Sequence, residues 1–112
     1  MTQTQTATIL SGQAVSSTLR IEDGFKPTAI LLPAAIDGTK FTFQVSLDGS
    51  TWQNLFTSYT DAAELYMSIA ASAAARVDWF PTWPKFVKIR SGTAGTPTNQ
   101  TADRAVVVVF EK

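Results

Sequence analysis

A chain of 112 residues with no Cys, no His and nine basic against nine acidic side chains has the length of one compact domain. Lacking thiol and imidazole, it excludes Cys/His zinc centres, disulfide staples and every nucleophilic dyad or triad that depends on them. Balanced charge removes the field that a nucleic-acid or anionic-membrane partner requires, and 45% hydrophobic residues supply a core without staples.

The amino terminus, MTQTQTATIL, has no basic segment leading into an apolar one. No signal peptide is therefore expected, and synthesis in a cytoplasm as a soluble protein is. Residues 2–6 alternate Thr and Gln, and 1–6 read as an extended arm that becomes a strand with Ala7 and Ile9 as its first apolar positions, residues 7–112 forming a single β-sandwich domain. AVSSTLRI, 14–21, is a second strand, ended by the acidic turn Glu22, Asp23, Gly24. PTAILLP, 27–33, is an apolar strand bounded by prolines, which suit strand ends.

KFTFQVS, 40–46, alternates most clearly: Phe41, Phe43 and Val45 on one face, Thr42, Gln44 and Ser46 on the other. LDGS and then TWQNLF follow. Asp48 and Gly49 are expected to supply the positive φ values of a tight hairpin turn, and Trp52 to cap one end of the core. ELYMSIA, 64–70, places Leu65, Met67 and Ile69 on one face. AASAAAR, 70–76, fits a helical turn or a small-residue strand equally well. DWFPTWP, 78–84, is an aromatic loop pinned by two prolines. KFVKIRS, 85–91, is a strand with Val87 and Ile89 inward and Lys88 and Arg90 outward. A polar Gly/Thr loop over 91–103 leads to RAVVVVFE, 104–111, apolar on both faces and so central or covered. About eight short strands without βαβ alternation predict an all-β antiparallel sandwich, a jelly roll.

Candidate sites weigh as follows. Asp23, Asp37, Asp48, Asp61, Glu64 and Asp78 all fall in turns or loops. No pair is spaced as a hydrolase dyad, no Asp-x-Asp-x-Asp run suggests calcium, and solvated turn acids explain them. Lys85, Lys88 and Arg90 near Trp79, Phe80, Trp83 and Phe86 resemble a single-strand stacking platform, but strand alternation accounts for the basic residues. The aromatic loop plugs the core or makes a protein–protein contact. The Thr/Gln arm frays, or adds to a neighbour's sheet edge.

FQVSLDGSTWQNLF followed by FPTWPKFVKIRSG is similar to discoidin-like carbohydrate-binding sandwiches. There a Ser-x-Asp-Gly-x-x-Trp hairpin, matched by Ser46, Asp48, Gly49 and Trp52, precedes a strand matched by Phe86, Val87, Lys88, Ile89 and Arg90. Over residues 7–111 the chain also resembles the small β-sandwich decoration or cement proteins of tailed bacteriophages. The residues that carry this are Ser91, Gly92, Thr93, Pro97 and Gln100 ahead of a valine-rich last strand. The second resemblance implies a non-enzymatic virion protein at the capsid surface, binding the major capsid protein and self-associating as a dimer or trimer. It implies no cofactor, no nucleic acid and no membrane. The contact residues expected are Thr2, Gln3, Thr4, Gln5, Thr6, Trp79, Phe80 and Trp83. The first resemblance implies instead a sugar- or receptor-binding module of a tail or fibre that touches its ligand through Asp48 and Trp52.

Overall fold

The structure is a computed structural model that describes residues 1–56, 63–77, 80 and 83–112. None of these is helical. The strands are β1 (Thr2–Ile9), β2 (Leu19–Arg20), β3 (Lys26–Leu31), β4 (Lys40–Ser46), β5 (Gln53–Asn54), β6 (Tyr66–Ser68), β7 (Ala74–Arg76), β8 (Phe86–Ser91) and β9 (Arg104–Glu111). One sheet, A, runs β1-β9-β3-β7. The other, B, runs β2-β8-β4, with β5 and β6 sharing the remaining edge of β4. Every pairing is antiparallel. Counting β5 and β6 as one interrupted strand, the chain passes back and forth between the sheets in the order of a jelly roll.

Period-two patterning explains the core. Phe41, Phe43 and Val45 of β4, Val87 and Ile89 of β8, and Val106, Val108 and Phe110 of β9 are all buried, so the two inner faces meet through alternate side chains. Phe80, from the aromatic loop, closes this space edge-on to Phe43, with ring centroids 5.2 Å apart. A void of about 20 Å³ among these side chains is lined by apolar groups such as Leu19, Phe43 and Val108. It has room for a water-sized probe but no polar group to hold it. β9 lies between β1 and β3, the central place expected of it, while its outer row, Val107 and Val109, stays half-buried.

Several strands are shorter than their patterns suggest. The 14–21 segment keeps only Leu19 and Arg20 in β2, plus a lone bridge from Val15 to Arg90. Between them Ser16 replaces a ladder with its hydroxyl: its N–H donates to the Ile89 carbonyl, and its Oγ accepts from the Ile89 N–H. Serine oxygens compete with the backbone in this way. Pro27 enters β3 opposite Phe110, and the register shifts between it and Ala29, a bulge that accommodates the missing donor. Residues 70–76, open between helix and strand, turn at Ser72 (φ 62°) and continue as β7. The arm is corrected as well. Thr2, Gln3, Thr4, Gln5 and Thr6 belong to β1, which pairs with β9 along its whole length.

Candidate interaction surfaces

Local chemistry settles the LDGS hairpin. Ser46 Oγ accepts from the N–H groups of Asp48 and Gly49, and Asp48 Oδ1 accepts from those of Ser50 and Thr51, the last two at 2.8 Å. The Thr51 N–H first, then that of Ser50 and the Ser46 hydroxyl, favour the charged carboxylate and draw the Asp48 pKa down to about 2. Gly49 has a positive φ of 81° and Asp48 does not. The turn is therefore closed by the aspartate side chain and is not the two-residue type expected. Trp52 does not cap the core either. It is half-buried, with the Lys88 ammonium 4.6 Å from its ring centroid, a cation–π contact. Asp48 and Trp52 are thus occupied by the protein's own groups.

Alternation placed Arg90 and Lys88 on the outer side of β8, yet Arg90 is only 4% exposed. Its Nε donates to Thr42 Oγ1 and its Nη1 to Asn54 Oδ1, both at 3.0 Å, while Nη2 pairs with Glu64. Glu64 also accepts from the Ala94 N–H, and its chain bridges Phe56. Glu64 is therefore not a solvated turn acid but the counter-ion of a guanidinium sealed on the outside of sheet B. Asp37 is tied down in the same manner at one end of the sandwich. Hydrogen bonds from the backbone and hydroxyl of Thr101, then the nearby Arg104, hold its carboxyl below the ordinary value of 3.8. Beside it, buried Gln100 accepts from the Asp37 N–H and donates to the Asp37 carbonyl, both at 2.9 Å.

The aromatic loop divides. Phe80 is a core residue, 7% exposed, whereas Trp83 is 55% exposed. Trp79, Asp61 and Asp78 lie outside the described residues. Trp83 borders a shallow groove with Phe25, Lys85 and Lys112, and Gln3 borders an adjoining groove that shares Phe25 and Lys85. The folded chain thus brings two of the expected contact residues, Gln3 and Trp83, to one end of the molecule. Charges there are mixed, with Glu22, Asp23 and Glu111 among the lysines.

A surface that strand patterning did not single out lies on the outside of sheet A. Register places Thr4, Thr6 and Thr8 of β1 beside Val109, Val107 and Ala105 of β9, then Ala29 and Leu31 of β3, then Ala74 of β7. Leu31 is 41% exposed, Val107 and Val109 are half-buried, and Thr4 and Thr6 are open. Among the described residues, charge enters this face only at its margins, through Lys26, Glu111 and Arg76. The signal in the sequence was the second apolar row of the last strand. No protein-family model, curated protein or solved structure matches the chain.

Proposed function

We propose that this chain is a non-enzymatic structural protein of a tailed-phage particle, a capsid decoration or cement protein that binds across neighbouring major capsid protein subunits. The observation that carries the reading is the outer face of sheet A: uncharged through its middle and built of Thr, Val and Ala with Leu31. A β-sandwich face of this kind keeps water on a β-branched surface unless another protein covers it. A shell that binds this face in its expanded form only is stabilised in that form by mass action, by RT ln(1 + L/Kd) per site with L the free concentration of this chain. The motif residues of the phage resemblance hold the scaffold: Gly92 bridges Pro97, the Ser91 hydroxyl donates to the Thr98 carbonyl, and Gln100 braces Asp37.

Co-sedimentation with purified expanded shells tests the reading. Binding that saturates, and that falls at least tenfold in Val109→Lys with the thermal transition retained, supports it. Wild-type protein that stays in the supernatant at every ratio refutes it. A second reading, a sugar- or receptor-binding module, draws on exposed Trp83 beside its groove. Saturable quenching of tryptophan fluorescence by a glycan, abolished in Trp83→Ala, would favour that reading over the first.

A further inference from the structure

Sheet A has one long open edge. In β1 the even-numbered residues turn away from β9. Thr8 fixes this phase, since its N–H donates to Ser17 Oγ and its carbonyl accepts from the Ser17 N–H, across the far side of the strand. Alternation turns Thr2, Thr4 and Thr6 the same way, and their backbone groups have no hydrogen-bond partner among the described residues. The other strands at sheet margins, β2, β5, β6 and β7, are two or three residues long, short enough to be poor templates. β1 spans eight residues; Ser17 covers its edge at Thr8, but over Thr2–Thr6 it has no lysine, no proline and no bulge to blunt it.

We propose that β1 pairs antiparallel with β1 of a second copy about a two-fold axis through Thr4, joining the two A sheets into one. Residues 2–6 read TQTQT, a palindrome centred on Thr4. In this register Thr4 faces Thr4 of the partner subunit, and Thr2 faces Thr6 of the partner subunit. The three facing pairs exchange two N–H···O=C bonds each, about six in all. Threonine then meets threonine on the outer side, a favourable cross-strand pair. On the inner side Gln3 falls opposite the partner's Gln5.

The glutamines supply a second, independent observation. Gln3 Oε1 is buried and has no hydrogen-bond partner, whereas the Gln5 amide is committed to the Arg20 backbone through one N–H and its oxygen. A carboxamide nitrogen carries two hydrogens, so Gln5 retains one to donate. The two-fold pairing sets that N–H beside the facing Gln3, twice; the Gln3 Oε1, sealed from solvent within the single chain, becomes its acceptor once the side chain turns outward. A second copy fits this edge better than a foreign strand. β1 itself carries no charged side chain to steer a charged partner, and its sequence repeats on reversal, as an isologous contact requires. The pairing stands on the edge alone and holds whether or not the face beside it meets a capsid.

The test uses the intact chain, whose lack of native cysteine makes introduced thiols unambiguous. Sedimentation equilibrium is expected to show a monomer–dimer equilibrium. Under mild oxidation Thr4→Cys should cross-link to a dimer, whereas Thr6→Cys should not, because its two thiols sit about 13 Å apart along the strands. Thr4→Pro removes an N–H that the β1–β9 ladder does not use, so the fold should persist while dimerisation weakens at least tenfold. A protein monomeric at all concentrations, a dimer that Thr4→Pro leaves intact, or cross-linking through Thr6→Cys in preference to Thr4→Cys overturns the proposal. If Thr4→Pro fails to fold, the cysteine pair decides alone. Loss of shell binding with the dimer intact would strike the proposed function and leave this pairing standing.

Discussion

Replacing Glu64 with Ala should destabilise the protein by about 3 kcal/mol, a large effect for one side chain on the outer side of a sheet. Breaking a buried ion pair costs roughly 3–5 kcal/mol because the surviving charge is left without a counter-ion in a poorly solvated place. The Arg90 side chain is 5% exposed and that of Glu64 15%, so this pair belongs near that range. The lower end applies, because Thr42 and Asn54 continue to accept from the guanidinium. The Ala94 N–H is more exposed and turns to water at little cost.

Unfolding entropy near the midpoint is about 2.1 cal/mol/K per residue, or about 0.24 kcal/mol/K for this chain. A 3 kcal/mol loss should therefore lower Tm by about 13 °C. Scanning calorimetry or near-ultraviolet circular dichroism at neutral pH measures it. The double variant Glu64→Ala with Arg90→Met removes both charges and should be less destabilised than the sum of the two single changes, with a coupling of about 1 kcal/mol or more. A Tm shift below about 4 °C for Glu64→Ala, or strict additivity in the cycle, would show that water already solvates the guanidinium and would refute the reasoning.

Asp48 titrates at about 2 when folded against an ordinary 3.8. The unfolded chain therefore binds the proton more readily, and the stabilisation this carboxylate provides is present above about pH 4 and is lost as pH falls toward 2. Urea midpoints across that interval should fall less steeply in Asp48→Ala than in the wild type, and an NMR titration should place the carboxyl well below the ordinary aspartate value of 3.8. Gly92 has φ +85°, and a Cβ there would meet Thr96 O and Thr98 N at 2.5 and 2.7 Å. Gly92→Ala should cost about 2–4 kcal/mol by thermal denaturation, whereas Gly95→Ala, with open space around it and no positive φ, should stay within about 1 kcal/mol of the wild type.

Strand patterning reads well where one face is buried and the strand is central. β4 has the bounds Lys40–Ser46 expected of it, and β8 and β9 lie within one residue of theirs. Alternation there is dictated by an apolar interior that both neighbours help to form, so the signal is local. It fails at the margins. The 14–21 segment has strand composition, yet Ser16 and Ser17 spend their hydroxyls on neighbouring backbone, and regular pairing survives only at Leu19 and Arg20. The amino-terminal residues read as an arm because Thr and Gln reveal no buried face. Their partner is β9, about a hundred positions away along the chain, and no local pattern contains it.

Arg90 marks a different limit. Alternation assigned its face correctly but said nothing of what lies over that face. The covering comes from Glu64 and Asn54, 26 and 36 residues earlier, and a carboxylate at such a distance looks like any other loop acid. The hairpin at Asp48 was legible in its location and illegible in its type. Asp-Gly is compatible with a two-residue turn, and the choice depends on whether Ser46 and the aspartate capture the free N–H groups. They do, in five hydrogen bonds within residues 46–51.

The two outer faces have opposite characters, and that asymmetry bears on function. On sheet B the polar groups are consumed internally: Arg90 by Thr42, Asn54 and Glu64, Lys88 by the Trp52 ring, Lys40 by the Tyr66 ring. A ligand there would have to break an existing interaction for each one it made, and the exchange yields little net affinity. On sheet A the outer face makes few such commitments. Thr4, Thr6, Val107 and Val109 present methyl groups and hydroxyls to water, and among the described residues the backbone groups of Thr2, Thr4 and Thr6 on the edge beside them meet no partner. Covering that surface displaces water from apolar area without first dismantling a polar network, and pairing its edge satisfies donors and acceptors already aligned in strand geometry. The balance of desolvation cost favours sheet A for both proposed contacts, the shell on its face and the second copy along β1.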